Sequence, residues 1–211
     1  MAKKLKIKFP PLPLSRRNRR LLKLLAALIV IALILSDRLD LLPQAALTDH
    51  KLYNDKTFTV TRVIDGDTLD IDIPDPTQNQ PTTRIRLWGV DTPETKHPRF
   101  GQMYFGPEAA QFTEKLTLNQ SVRVRLEPFE NPRDKYHRLL AYIYLPDNSS
   151  LNEKLLTQGF AYADERFSHM FRKKFLDLQK QAKRQNLGLW KNVQPHQLPQ
   201  WYQKRHDPPA N

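Results

Sequence analysis

The chain has 211 residues, 39% hydrophobic and 27% charged, enough for one domain of ordinary size with its own core plus flanking segments and too little for two full domains. It contains no cysteine, which excludes a disulfide framework, a thiolate metal site and a cysteine nucleophile. The formal net charge of +12 is unevenly placed: residues 1–35 hold nine Lys and Arg and no acid, so the rest of the chain carries only +3 and its basic character says little about the globular part.

The basic leader, residues 1–20, runs into a 15-residue apolar stretch from Leu21 to Leu35 interrupted only by Lys23, and Asp37 and Asp40 follow. Positive charge before the stretch and acid after it place the N-terminus in the cytoplasm and the rest outside. The length suits the apolar region of a signal peptide and falls short of the ~20 residues of a spanning helix. A long leader, with the small residues Ala45 and Ala46 only well downstream, favours an uncleaved anchor over residues 21–36. The expectation is a membrane-tethered domain outside the cytoplasm, or a secreted one if the leader is cleaved. Residues 37–56 read as a linker.

From Thr57 the pattern changes to short alternating segments, Thr57 to Ile64 and Thr68 to Ile73, joined by the hairpin signal Asp65-Gly66-Asp67. A polar connection from Pro74 to Pro81 leads to a third strand over Arg84 to Val90, where Ile85 and Leu87 face a core and Arg86 faces away. Gly106-Pro107-Glu108 opens a helix through Leu116 with Ala109, Ala110, Phe112, Thr113 and Leu116 as its inner stripe. Val122 to Leu126 and Leu139 to Leu145 make two more strands, a helix runs from Leu151 to Gln158 before Gly159, and a longer helix lies near Phe171 to Asn186. Five short strands with about three helices predict an α+β domain dominated by a five-stranded Greek-key barrel of the OB type over residues 57–190, plus the N-terminal hydrophobic helix. Trp190 is expected to pack at the end of the last helix. Residues 191–211, with Trp201, Tyr202, Lys204 and Arg205, read as a tail either laid on the domain or mobile.

The third strand delivers Arg86, Asp91, Thr92, Pro93 and Glu94 into one small volume. Carboxylates bind a hard cation, and a guanidinium offers a planar fork to phosphate. Another assignment makes Thr92 a helix N-cap, Pro93 the first helical residue and Arg86 a solvated strand residue. If the first hairpin lies beside the third strand, Asp65, Asp67, Asp91 and Glu94 gather, two able to hold a cation and one to steer a water, with Arg86 and Arg138 as the positive complement for phosphoryl transfer. His97 and His169 read as surface loop and helix residues, since no second histidine lies at metal-ligand spacing.

The segments Val63-Ile64-Asp65-Gly66-Asp67-Thr68, Arg86-Leu87-Trp88-Gly89-Val90-Asp91-Thr92-Pro93-Glu94 and Asp134-Lys135-Tyr136-His137-Arg138-Leu139-Leu140-Ala141-Tyr142 together resemble the staphylococcal-type nuclease (thermonuclease) family. Gly106-Pro107-Glu108-Ala109, Asn152-Glu153, Gly159-Phe160-Ala161 and Gly188-Leu189-Trp190 continue the likeness in the family's order. The resemblance implies an OB barrel with three helices and an endonuclease that hydrolyses DNA and RNA with Ca²⁺, Mg²⁺ being the weaker candidate, to leave 3′-phosphate ends. It implies Asp67 and Asp91 with the Thr92 carbonyl as metal ligands, and Asp65, from the gathering of the four acids, is the candidate supporting acid. Glu94 would be the base that orients or deprotonates water, Arg86 and Arg138 the phosphate-binding arginines, and Lys135 and Tyr136 the lining of the nucleotide site. The family usually has glycine where this chain has His137, so a turn requiring positive φ would cost a non-glycine residue about 1–2 kcal/mol. The segment after Gly159 lacks a clear counterpart to the family's nucleotide-holding tyrosines. A monomer is expected. The competing reading is a noncatalytic OB module that grips single strands through a basic groove and aromatics; retention of every catalytic position argues against it.

Overall fold

The alternation at Thr83–Leu87 takes the form of a strand whose Thr83, Ile85 and Leu87 are buried, while Arg84 is exposed and Arg86 half-buried. The computed structural model describes residues 18, 22–28, 44–96, 101–128 and 131–206. By contacts the chain divides into Met1–Ala45 and Ala46–Asn211. In the first unit residues 22–28 are helical and exposed. Among the described residues no helix is long and apolar enough to cross a membrane; most of the expected 21–36 anchor, like His97, lies outside them.

In the second unit the helices and strands are α1 (Gln44–Tyr53), β1 (Lys56–Asp65), β2 (Thr68–Ile71), β3 (Thr83–Leu87), β4 (Val90–Asp91), α2 (Gly106–Thr117), β5 (Ser121–Arg125), β6 (Leu139–Tyr144), α3 (Leu151–Thr157), β7 (Tyr162–Ala163), α4 (Arg172–Arg184) and α5 (Gln200–His206), α1 beginning just before the unit border. Two 3₁₀ turns, Gly188–Lys191 and Pro195–Gln197, separate α4 from α5. The barrel closes in the order β1-β2-β3-β6-β5. All its pairs are antiparallel except β3 with β6, where Ile85, Arg86 and Leu87 lie beside Leu139, Leu140 and Ala141. Closure removes the open sheet edge. Its interior is aliphatic, with Val60, Leu69, Ile71, Ile85, Val124 and Ile143 fully buried. Each such side chain contributes about 1.5–3 kcal/mol by leaving water. The α+β barrel is thus the expected OB type.

α2 closes one end of the barrel. Gly106 and Pro107 start it, Ala109, Thr113 and Thr117 turn inward, and Thr113 Oγ1 donates to the Gly66 carbonyl at 2.5 Å. Gly66 must be glycine on packing grounds: a Cβ there would stand 2.8 Å from Thr92 Oγ1 and 2.9 Å from Ala109 Cβ. α3 is capped by Ser150, whose hydroxyl accepts from Glu153 N at 3.3 Å.

Several stretches differ from expectation. Thr92 caps no helix; its backbone N–H goes to Asp67, and the next helix starts only at Gly106. The stretch expected as a linker ends in α1, which docks because Tyr53 is fully buried and shares a 3.0 Å hydrogen bond with Thr83, and because Asp49 is clasped by Arg133. The polar connection after β2 also has a buried member, Asp75, bound by the same arginine. His169, expected at the surface on a helix, is 8% exposed in the loop before α4 and shares a 3.2 Å hydrogen bond with the Tyr142 hydroxyl. Its ring fills space left by Gly89, where φ is +76° and a Cβ would stand 2.5 Å from the imidazole. Residues 195–206 are ordered on the domain as a 3₁₀ turn and α5.

Candidate active site

Three chain segments meet at one end of the barrel. The β1–β2 turn is locked by Asp65, whose Oδ1 accepts from Gly66 N at 3.0 Å and from Thr95 N at 3.3 Å. Asp67 Oδ1 accepts from Thr68 Oγ1 at 3.0 Å, and its Oδ2 accepts from Thr92 N at 2.7 Å, tying the hairpin tip to the segment after β4. β3 lies beside the hairpin with Arg86 opposite Thr68, which puts the guanidinium next to Asp67. At Gly89 the chain turns into β4, and Asp91 comes back toward the same guanidinium.

Arg86 bridges the two carboxylates, Nη1 against Asp67 Oδ2 and Nη2 against Asp91 Oδ1, with side chains 11%, 5% and 13% exposed. Burial pushes the Arg86 guanidinium down from its ordinary range, Asp91 pulls it back up, and the like charge of Arg138 pushes it down again. Arg138 stands at the start of β6, where its Nε donates to Asp134 Oδ2 at 2.8 Å.

Glu94 keeps access to solvent and lies beside the Asp65 carboxyl. Partial desolvation, then the hydrogen bond and charge of Asp65 and the charge of Asp91, push Glu94 up to about 7, with Arg86 acting in the opposite direction. A side chain poised there can take or give a proton near neutral pH.

The donor set suits a hard cation. Asp67 Oδ2 and Asp91 Oδ1 touch one guanidinium, so a cation between them would be within reach of both. Among the described residues no third Asp, Glu, His or Cys completes a cluster. The remaining positions would fall to the Thr92 carbonyl, water and a substrate oxygen, an arrangement that Ca²⁺ and Mg²⁺ both accept.

Lys135 and Tyr136 lie on the neighbouring turn. Tyr136 is 66% exposed, with the Lys135 ammonium 4.9 Å and the Arg138 guanidinium 5.4 Å from its ring centre. This turn contains His137 at φ 63°, the left-handed geometry expected there, and Asp134 stabilises it by accepting from Tyr136 N at 2.9 Å and Arg138 N at 3.0 Å. A cleft of about 260 Å³ runs from Tyr136 and Arg138 to Asp70 and Arg84.

Two residues at the site had no individual signal in the sequence. Arg166, in the loop after β7, grips Asp164 with two bonds of 2.8 and 2.7 Å and reaches Asp91 Oδ1 at 3.1 Å. Trp201 donates its indole N–H to Asp91 Oδ2 at 2.8 Å across 110 positions of chain. Only the arginine that follows two acids in Asp164-Glu165-Arg166 and the aromatic pair Trp201-Tyr202 could have pointed to them. Together with Glu94 and Tyr104 they border a cavity of about 710 Å³ beside Asp91.

Residues 84–192 match the family model described as staphylococcal nuclease homologue. The chain is 39% identical over 140 residues to the thermonuclease of Staphylococcus hyicus, covering 66% of this chain and 78% of that protein. It is 41% identical over 138 residues to the thermonuclease of Staphylococcus intermedius, covering 64% and 76%. Against the micrococcal nuclease of Shigella flexneri the identity is 31% over 150 residues, covering 67% and 78%. With the closed barrel and the acids and arginines drawn to one end of it, these likenesses mean that the chain belongs to the staphylococcal nuclease homologue family.

Proposed function

We propose that this protein is a Ca²⁺-dependent endonuclease that hydrolyses DNA and RNA and leaves 3′-phosphate ends. The observation that carries the reading is the convergence of Asp67 and Asp91 on Arg86, with Glu94 beside them titrating at about 7. The names of the relatives, thermonuclease and micrococcal nuclease, support it.

Asp67, Asp91 and the Thr92 carbonyl would hold the cation, which when bound supplies Lewis-acid polarisation of a phosphate oxygen. Glu94 in its carboxylate form orients a water in line with the scissile bond and takes its proton as oxygen adds to phosphorus. Arg86 and Arg138 stabilise the charge on the non-bridging oxygens. The P–O5′ bond then breaks, the 5′ oxygen takes up a proton and the phosphate stays on the 3′ side. Lys135 and Tyr136 flank the nucleotide, and Asp65 acts indirectly by holding Glu94 near neutral pKa.

We further propose that residues 1–20 remain cytoplasmic, that residues 21–36 anchor the chain and that a monomeric nuclease domain, residues 57–190, acts outside the cytoplasm, secreted if the leader is cut. The basic leader and the acids after the apolar run support this topology.

The test incubates the full-length chain in mild detergent with supercoiled plasmid and with RNA, in Ca²⁺ or in excess chelator, beside a Glu94→Gln variant. Cleavage of both substrates in Ca²⁺ only, reduced about 10²–10⁴-fold in the variant, is expected. Binding without cleavage in Ca²⁺, Mg²⁺ and Mn²⁺ would replace the nuclease with a noncatalytic binding module.

A further inference from the structure

We propose that Trp201, on the C-terminal helix α5, is a positioning residue for Asp91: its indole N–H holds the outer carboxylate oxygen so that the inner one stays aimed at the cation site. The inference rests on the nuclease reading above and extends it to a segment beyond the barrel.

The two oxygens of Asp91 have different neighbours. Oδ1 faces Arg86 and Arg166, while among the described residues Oδ2 accepts only from Trp201, at 2.8 Å. A carboxylate is planar, so a hydrogen bond on the far oxygen fixes the direction of the near one. Asp67 has a comparable support in Thr68, which binds its Oδ1, while its Oδ2 accepts from Thr92 N and lies against Arg86. In both carboxylates the outer oxygen is held by a side-chain donor and the inner one lies against Arg86.

The indole is itself held. Tyr202 is 2% exposed and receives a 3.1 Å bond from Lys183 Nζ. Arg205 and His206 reach Glu165 at 3.2 and 2.7 Å, and the Arg166 guanidinium lies 4.8 Å from the centre of the Trp201 ring. Among the described residues Trp88 and Trp190 bury their indole N–H groups without an acceptor, whereas Trp201 directs this donor to Asp91. Partners of this kind orient metal-binding side chains, and their loss typically weakens metal binding about 10–100-fold.

The experiment uses the full-length chain with ¹⁵N-labelled indoles, in mild detergent, titrated with Ca²⁺; Trp201→Phe and Trp190→Phe assign the signals. The Trp201 N–H signal should move in step with cation saturation while that of Trp190 stays in place. In Trp201→Phe, which keeps the ring and loses the donor, the half-saturating Ca²⁺ concentration from calorimetry should rise about 10-fold or more at an unchanged unfolding temperature. A Trp201→Phe protein that unfolds at lower temperature but binds Ca²⁺ as before would reduce Trp201 to a packing residue and overturn the proposal. If that variant does not fold, the unmodified chain decides: a Trp201 signal indifferent to bound Ca²⁺ overturns it. Wild-type protein that cleaves and binds Ca²⁺ separates failure of this inference from failure of the nuclease reading, which would show as neither.

Discussion

Arg133 and Arg86, two largely enclosed arginines each bracketed by two aspartates, behave oppositely. Arg133 joins Asp49 of α1 to Asp75 after β2; Arg86 joins Asp67 to Asp91. Their side chains are similarly enclosed, 7% and 11% exposed. Arg133 is bonded at every nitrogen, through four of its five N–H groups: Nε and Nη2 take the two oxygens of Asp49 at 2.7 and 2.8 Å, and Nη1 donates to Asp75 at 2.6 Å and to the His137 carbonyl at 2.9 Å. Burial works against its charge, but these hydrogen bonds prevail and its pKa is raised. Arg86 is not saturated: burial and the like charge of Arg138 outweigh its partners, and its pKa is lowered. A guanidinium bonded at every nitrogen can only clamp, whereas one held among competing charges gains when a phosphate arrives. Residue types alone do not separate a clasp from a site; the completeness of the hydrogen bonding does.

The comparison breaks most sharply at Arg133. Arg133→Met leaves Asp49 and Asp75 buried without a counter-charge and should cost about 3–5 kcal/mol in urea unfolding, with turnover per folded molecule little changed. Arg86→Gln should do the reverse in kind, lowering kcat about 10²–10³-fold, or ~2.7–4 kcal/mol of barrier. Excess Ca²⁺ should restore the unfolding midpoint of Arg86→Gln, because a cation supplies the missing positive charge between Asp67 and Asp91, and should do nothing for Arg133→Met. Equal responses of the two variants to Ca²⁺ would erase the distinction.

A smaller effect separates the two regions by pH. The folded pKa of Glu94, about 7, lies above its ordinary 4.5. The stability linked to it is therefore fully present below about pH 4.5 and is lost as pH rises through about 7. Glu94→Gln should be the more stable protein at pH 8 and lose that advantage at pH 4, seen as a convergence of urea midpoints. Activity should rise through the same window as the base ionises. His169 has the opposite sign. Burial lowers its pKa below 6.5, so the fold favours neutral imidazole, keeps that stability above pH 6.5 and loses it as pH falls toward the depressed value. The smallest expected change is a flatter urea midpoint between pH 7 and 5 in His169→Gln than in wild type.

The barrel was readable because its information is local. Leu69, Ile71, Ile85 and Leu87 alternate along short strands, and Asp65-Gly66-Asp67 turns one strand onto the next, so period and turn chemistry specify pairing without distant partners. The gathering of Asp65, Asp67, Asp91 and Glu94 followed from the same hairpin geometry. α1 and α5 were not readable in this way. α1 carries no strong apolar stripe and docks through Tyr53 and Asp49, whose partners Thr83 and Arg133 lie 30 and 84 residues away. α5 docks through an aromatic layer of Tyr162, Trp190, Trp201 and Tyr202, where ring contacts replace periodicity.

The sequence by itself determined a closed five-stranded barrel and the end of it at which acids and arginines gather. Only the tertiary structure decided that Arg133 is a clamp, that His169 is buried, and that Arg166 and Trp201 reach Asp91. The physical reason is range. Strand pairing and turns are encoded within a few residues of one another, whereas a side chain's final partners depend on which distant groups arrive to complete or frustrate its hydrogen bonds.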